Sequence, residues 1–219
     1  MVQYGGRTVL IDTTPDFRQQ ALREGIERID AILFTHSHAD HIMGLDDVRP
    51  LNLRQKSTIP IYGSLETLTT IQSSFRYIFE NSNPESSIPK LTPHPLTLNG
   101  IDLFGLRFTP VLLNHGRSFV YGYRFGPAAY LTDHSKIPDA SIAQLADLDV
   151  LFLDALRHKP HPTHTTVTRA LQYVEQIAPK RAFFTHISHD LPHEETERDF
   201  PSHVRLAYDG LRIMTGDVS

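Results

Sequence analysis

The chain has 219 residues, no cysteine, a formal net charge of −4 and 40% hydrophobic residues. The lack of cysteine excludes disulfides and thiolate metal ligands, and the weak acidic charge argues against a broad nucleic-acid surface. No apolar run approaches the roughly 20 residues that span a bilayer, and the N-terminus shows no signal-peptide core. We therefore expect a cytoplasmic protein with no membrane partner.

Short apolar runs alternate with longer amphipathic segments, which predicts one mixed α/β domain over residues 1–219. Residues 81–95 hold several prolines and predict a loop, and Asn99 and Gly100 predict a hairpin between 96–98 and 101–104. The predicted strands are 8–11, 31–35, 59–62, 106–113, 120–125, 128–132, 150–153 and 182–185. The predicted helices are 16–24, 45–54, 64–79, 141–145 and 165–177.

Four metal-competent side chains follow the buried strand 31–35 within six positions. They are His36, His38, Asp40 and His41. Imidazole and carboxylate bind borderline and hard divalent ions, and packing alone gives no reason to place four together. In extended chain, residues i and i+2 project to one side, so His36 and His38 can reach one ion. Asp40 and His41 follow where the chain turns, so the run can supply two adjacent ions.

Three later apolar strands also end in a ligand-type residue. Residues 111–114 precede His115, residues 129–132 precede Asp133, and residues 182–185 precede His186. Polar residues often end strands, but His or Asp after every one of these runs is harder to explain in that way. Sheets place such ends along one edge, so we expect these side chains to converge.

In this order, the residues resemble the pattern of the metallo-β-lactamase superfamily. The resemblance implies an αββα sandwich and a binuclear site. His36, His38 and His115 would hold the first ion, Asp40, His41 and His186 the second, and Asp133 would bridge both. Family members begin with an extra strand before the position of Tyr4, so the first N-terminal strand is expected to be missing. Asp12 matches a position that hydrogen-bonds a ligand histidine, with a turn-capping aspartate as the alternative.

Residues 44–50 and 161–164 are similar to the PhnP-type cyclic-phosphate phosphodiesterases. That likeness implies opening of a small anionic cyclic phosphodiester by a metal-bridging hydroxide, with His164 as general acid. Asp40 has a second expected role in orienting the nucleophile. The all-nitrogen and oxygen ligands suit Zn²⁺, Mn²⁺ or Fe²⁺. Relatives are often dimers, which makes a homodimer an expectation.

Several alternatives stay open. A tRNA 3′-processing nuclease shares the position of His164 but usually carries a Gly-rich arm that we do not see, so nucleic acid is not the expected partner. A glyoxalase II-like thioester hydrolase needs an additional domain, and β-lactamases commonly use a cysteine ligand. A metal-binding sensor module is the non-enzymatic alternative. Arg49 and Arg117 are candidates for phosphate contacts or simply surface residues, and histidines such as His134 are expected in loops or on the surface.

Overall fold

Two β-sheets, each with its own hydrophobic core, organise the chain in a computed structural model that describes residues 1–80 and 87–216. The sheets belong to two compact units, residues 1–97 and residues 98–219. The expectation of one domain over the whole chain stays a prediction. Among the described residues, no helix has the length and apolar character needed to cross a membrane.

The first unit contains a five-stranded sheet in the order β1-β2-β3-β4-β5. Its strands are β1 (Val2–Tyr4), β2 (Arg7–Ile11), β3 (Ala31–Leu33), β4 (Ile59–Gly63) and β5 (Leu91–Pro95). Its helices are α1 (Phe17–Arg23), α2 (Ala39–Ile42), α3 (Arg49–Gln55), α4 (Leu65–Ser74) and α5 (Arg76–Phe79), with a 3-10 turn at Leu45–Val48. Apolar residues of β3 and β4, such as Ile32 and Ile61, are fully buried with those of the helices.

Strands β2 to β5 run parallel, so their carboxyl ends lie at one edge of the first sheet. Asp12 follows β2 and the cluster that begins at His36 follows β3. The backbone N–H of Asp12 donates to the carbonyl of Leu33, at 2.9 Å, which ties these two strand ends together. The topology therefore brings Asp12 to the histidine cluster.

The second unit contains a seven-stranded sheet in the order β12-β11-β10-β9-β8-β7-β6. Its strands are β6 (Ile101–Leu103), β7 (Leu106–His115), β8 (Ser118–Phe125), β9 (Ala128–Leu131), β10 (Val150–Asp154), β11 (Arg181–Thr185) and β12 (Val204–Leu206). Its helices are α6 (Asp139–Ile142), α7 (Val167–Ile177) and α8 (His193–Glu197). Strands β9 to β12 are parallel, and the apolar face of α7, including Tyr173 and Val174, is buried on this sheet.

The predictions of a loop that extends through residue 95 and of a hairpin between residues 96–98 and 101–104 were wrong. Residues Leu91–Pro95 form β5 rather than a loop, because an edge strand tolerates proline where a central strand does not. Residues 81–86 of the predicted loop lie outside the described residues. The hairpin turns at Phe104 and Gly105, both with positive φ, so β6 pairs with β7 and not with residues 96–98.

Smaller differences concern the ends and breaks of elements. The predicted helix 64–79 is interrupted at Phe75, and the prediction 45–54 begins as a 3-10 turn. Strand β1, which pairs antiparallel with β2 across Gly5 and Gly6, was not predicted. The expected absence of a further strand before Tyr4 is not tested by the described residues.

Candidate metal centre

The histidine cluster of the first unit is a tight group of rings at the end of β3. The centroids of His36 and His38 lie 4.5 Å apart, and those of His36 and His41 lie 4.1 Å apart. His36 and His41 are buried, whereas His38 and Asp40 are exposed. Helix α2 begins at Ala39 and turns Asp40 next to His41, with 3.4 Å between Asp40 Oδ2 and His41 Nε2.

One carboxylate orients two of these imidazoles. Asp12 Oδ2 lies 2.8 Å from His41 Nδ1 and accepts a 2.8 Å hydrogen bond from the hydroxyl of Thr35. The Thr35 oxygen lies 3.0 Å from His36 Nδ1, and the Thr35 backbone N–H donates to Asp12 Oδ1. Asp12 thus fixes the rings of His41 directly and of His36 through Thr35. This favours the ligand-orienting role over a simple turn cap.

In the second unit, His115 ends β7, Asp133 follows β9 and His186 follows β11, and the three come together at one edge. Asp133 Oδ1 lies 3.4 Å from His186 Nε2 and accepts a 2.6 Å hydrogen bond from the Thr132 hydroxyl. His115 Nδ1 lies 3.0 Å from the carbonyl oxygen of Thr163. Strands β9, β10 and β11 are parallel, and β7 runs in the same direction because β7 and β9 are both antiparallel to β8, so the carboxyl ends of these strands lie at one edge.

His164 stands among these residues, held by a buried carboxylate. Its Nδ1 lies 3.1 Å from Asp154 Oδ2, and its ring stacks on His186 with centroids 4.6 Å apart. The ring of His115 is 5.1 Å away. Asp154 also accepts from the backbone N–H of His134, so two donors engage it. Ligand-type atoms of Asp154, His164 and His186 lie within 4.8 Å of one another, but the two donors indicate that Asp154 orients His164.

The backbone is left-handed at three of these strand ends. Asp12, Asp133 and His186 have φ values of 60°, 53° and 56°. Side-chain-bearing residues seldom adopt this conformation, and it concentrates at functional sites. At each of these residues the chain leaves its strand in a sharp turn, and the polar side chain lies at the edge of the sheet.

Sequence reasoning missed the burial of one residue near this edge and the role of another. His134 lies in a loop, one of the two places expected for it, but it is fully buried beside Tyr173, with ring centroids 5.8 Å apart. Desolvation lowers its pKa to about 4. Asp154 carried no assigned role, and only the end of a buried strand, Val150–Asp154, signalled it. Of the two candidate arginines, Arg49 donates to the carbonyl of Ser87 and Arg117 is exposed.

The donor set fits divalent metal ions. A neutral imidazole that donates from Nδ1 carries its lone pair on Nε2, the atom that a metal would use. Asp12, Thr35 and Thr163 provide acceptors for Nδ1 of His41, His36 and His115, which presents Nε2 on all three rings. With carboxylates as the remaining donors, the set suits Zn²⁺, Mn²⁺ or Fe²⁺.

Comparison with known proteins agrees with this geometry. A family model described as a β-lactamase superfamily domain matches residues 7–187. The chain belongs to this family. A crystal structure described as a new diphosphatase from the PhnP family is 52% identical, with a TM-score of 0.91, over 97% of this chain and 82% of that one. The chain therefore has the metallo-β-lactamase fold and is similar to a PhnP-family enzyme, as the sequence predicted.

Other relatives are more distant or larger. An octanoyltransferase of Porphyromonas gingivalis is 36% identical over 212 residues, which is 95% of this chain and 42% of that protein. A ribonuclease Z of Bradyrhizobium diazoefficiens is 37% identical over 75 residues, covering 32% of this chain and 25% of its own length. The chain thus spans less than half of these curated relatives. Human tRNase Z, short form, at 19% identity and a TM-score of 0.74, shows the shared fold alone.

Proposed function

We propose that the protein hydrolyses small anionic phosphoric esters or anhydrides at a dinuclear metal centre. The observation that carries the proposal is the His164–Asp154 pair, which holds an imidazole against His186, a residue that matches a family metal-ligand position. Such a pair provides a proton donor where a leaving oxygen needs one. The 52% identical PhnP-family diphosphatase supports the same reaction class.

The proposed ligands are those that the family pattern implies. The first ion would be held by His36, His38 and His115, the second by Asp40, His41 and His186, and Asp133 would serve both. The supports are the oriented rings within each unit and the match of these residues to the family pattern. When bound, two divalent ions would generate the nucleophile from water and offset charge on phosphoryl oxygens.

The chain's own groups define the remaining steps. Asp154 accepts a hydrogen bond from His164 Nδ1–H, so a protonated His164 presents Nε2–H to the leaving oxygen. Asp40, exposed beside His41, is placed to orient a nucleophile as well as to bind metal. Asp40 and Asp133 offset only two of the four positive charges of two divalent ions, and the neutral histidines offset none, so an anionic substrate is favoured.

Two substrate types fit this proposal. The likeness of residues 44–50 and 161–164 to cyclic-phosphate phosphodiesterases favours a small cyclic phosphodiester. The description of the 52% identical structure as a diphosphatase favours a diphosphate. In both, a phosphorus–oxygen bond breaks and the departing oxygen needs a proton from His164.

The test is a substrate panel with metal-loaded protein. Bis-p-nitrophenyl phosphate, a nucleoside 2′,3′-cyclic phosphate, ADP-ribose, a thioester and a β-lactam are compared at equal enzyme concentration. We expect turnover of at least one phosphorus substrate and its loss after chelation. Activity confined to the thioester or the β-lactam would contradict the proposal, and no activity on any of them would favour the metal-binding sensor module.

Further properties expected from the sequence belong to the same proposal. They are a cytoplasmic location, a homodimer, and Zn²⁺, Mn²⁺ or Fe²⁺ as the native ion. Metal analysis of untagged protein purified without chelator tests the last of these, and gel filtration with light scattering tests the second. The octanoyltransferase relative is more than twice as long as its matched part, so its name assigns no acyl chemistry to this chain.

A further inference from the structure

The turn between β7 and β8 packs on the loop that carries His164. Gly116, at φ +62°, lies so close to this loop that a Cβ would stand 2.9 Å from Thr163 Cγ2. Its backbone N–H donates to Ser135 Oγ, and the preceding His115 lies within hydrogen-bond distance of the Thr163 carbonyl. The turn and the loop are therefore fixed to one another beside His164.

Arg117, the next residue of this turn, extends an uncommitted guanidinium. It is exposed, and within residues 1–80 and 87–216 it makes no hydrogen bond or ion pair. Arg157 and Arg181 of the same unit are engaged, the first with the carbonyl of Lys159 and the second with Asp149. A planar guanidinium matches two oxygens of a phosphate, which makes Arg117 available to an anionic ligand.

His161 presents a fixed donor on the same loop as His164. The backbone N–H and hydroxyl of Thr163 lie 3.4 and 3.1 Å from His161 Nδ1. Because a backbone N–H can only donate, Nδ1 is the acceptor and the neutral ring carries its proton on Nε2. Desolvation, together with His164 and Arg157, lowers the pKa of His161, which favours this neutral form. Its ring centroid lies 5.0 Å from that of His164.

We propose that Arg117 and His161 form a subsite for the departing phosphate of a diphosphate substrate. The inference rests on the proposed function and selects between its two substrate types. Water-derived hydroxide attacks one phosphorus, the bond from that phosphorus to the bridging oxygen breaks, and the bridging oxygen leaves with the second phosphate and takes the proton of His164. Arg117 and His161 Nε2–H bind the other oxygens of that second phosphate. A cyclic monophosphate has one phosphorus and offers this subsite nothing.

The test compares two substrates across matched variants of the metal-loaded full chain. ADP-ribose has a departing phosphate, whereas bis-p-nitrophenyl phosphate has none. We expect Arg117→Met to raise KM for ADP-ribose and lower kcat/KM by about tenfold or more, the scale of one lost charged hydrogen bond. Arg117→Lys should recover part of this loss, and His161→Ala should give a smaller loss than Arg117→Met. Arg198→Met, an exposed arginine on the same unit, is the control.

Kinetics on bis-p-nitrophenyl phosphate separate this inference from the proposed function. If Arg117→Met leaves that substrate within about threefold of wild type while ADP-ribose is lost, the subsite is supported. Equal losses on both substrates overturn it, as does a wild-type enzyme that cleaves only the diester, and the proposed function survives both results. A wild-type enzyme that cleaves neither these substrates nor a cyclic phosphate overturns both.

Discussion

The two units orient their candidate ligands in different ways. In the first unit, one carboxylate, Asp12, serves two histidines of a contiguous run, one directly and one through Thr35. In the second unit His115 and His164 have separate acceptors, the Thr163 carbonyl for His115 and Asp154 for His164. The first arrangement concentrates metal orientation in one residue, whereas the second separates metal orientation from proton donation. Single substitutions should therefore have broad effects in the first unit and selective effects in the second.

The largest selective effect should follow from His164→Ala. On a substrate with a poor leaving group, such as a nucleoside 2′,3′-cyclic phosphate, kcat should fall by roughly 10²–10⁴-fold, the usual contribution of a general acid. Bis-p-nitrophenyl phosphate should be far less affected, because p-nitrophenolate departs without a proton. Metal content should not change. His189→Ala, with a 96% exposed side chain, is the control, and equal losses on both substrates would refute the acid role of His164.

The broad effect expected of the first unit is tested by Asp12→Asn. Asparagine tolerates the left-handed backbone at this position but removes the charge that orients His36 and His41. Metal affinity should fall by roughly 10–100-fold, which is the usual loss when such an orienting group is removed. Competition with a fluorescent chelator measures it. Asp154→Asn is the matched variant of the second unit and should lower turnover while metal affinity stays near wild type; an equal loss of affinity would remove the contrast.

A smaller effect concerns His134, the buried imidazole of the second unit. Its pKa is lowered to about 4 by desolvation, whereas the unfolded chain protonates near 6.5. Between these values the unfolded state binds more protons, so native stability should decrease as the pH falls from 6.5 toward 4. The decrease is on the order of a few kcal/mol. Urea unfolding of chelator-treated protein should show this slope and its reduction in His134→Gln, but not in exposed His94→Gln. Identical slopes in wild type and His134→Gln would contradict it.

The smallest effects should be equal in the two units. Ser64 caps α4 by accepting from the Thr67 N–H, and Thr166 caps α7 by accepting from the Arg169 N–H. Replacing either residue with alanine should lower the free energy of unfolding by about 0.5–2 kcal/mol. Denaturant titration measures this loss, and kcat should not change because neither cap orients a candidate ligand. A drop in kcat for one variant alone would show that its helix supports the site.

The contrast between the units also explains what the sequence could predict. The run from His36 to His41 is recognisable because its spacing is local and its strand is a continuous apolar segment. His115, Asp133 and His186 were recognised only because each ends an apolar run. Asp154 ends such a run too, but its role depends on His164, ten positions away in a loop, and no local pattern reports that contact.

Errors arose where tertiary context overrode local preference. Prolines in Leu91–Pro95 favoured a loop, but pairing with β4 made the segment an edge strand. Asn99 and Gly100 have the composition of a tight turn between strands. The hairpin turn instead lies at Phe104 and Gly105, because β6 pairs with β7, the strand that follows it. A polar residue just after a strand is expected to be exposed, and only the packing of α7 shows that His134 is buried.

The left-handed residues at the strand ends have a consequence for protein engineering. Asp12, Asp133 and His186 each hold a conformation that costs roughly 1–3 kcal/mol, which the rest of the fold must offset. Glycine at these positions would relax the backbone, although it would also remove the hydrogen bonds of each side chain. A library screened only for heat resistance would therefore tend to enrich glycine at the positions on which catalysis is proposed to depend. Thermostabilisation of this enzyme should exclude these three positions from mutagenesis and score each hit for metal retention.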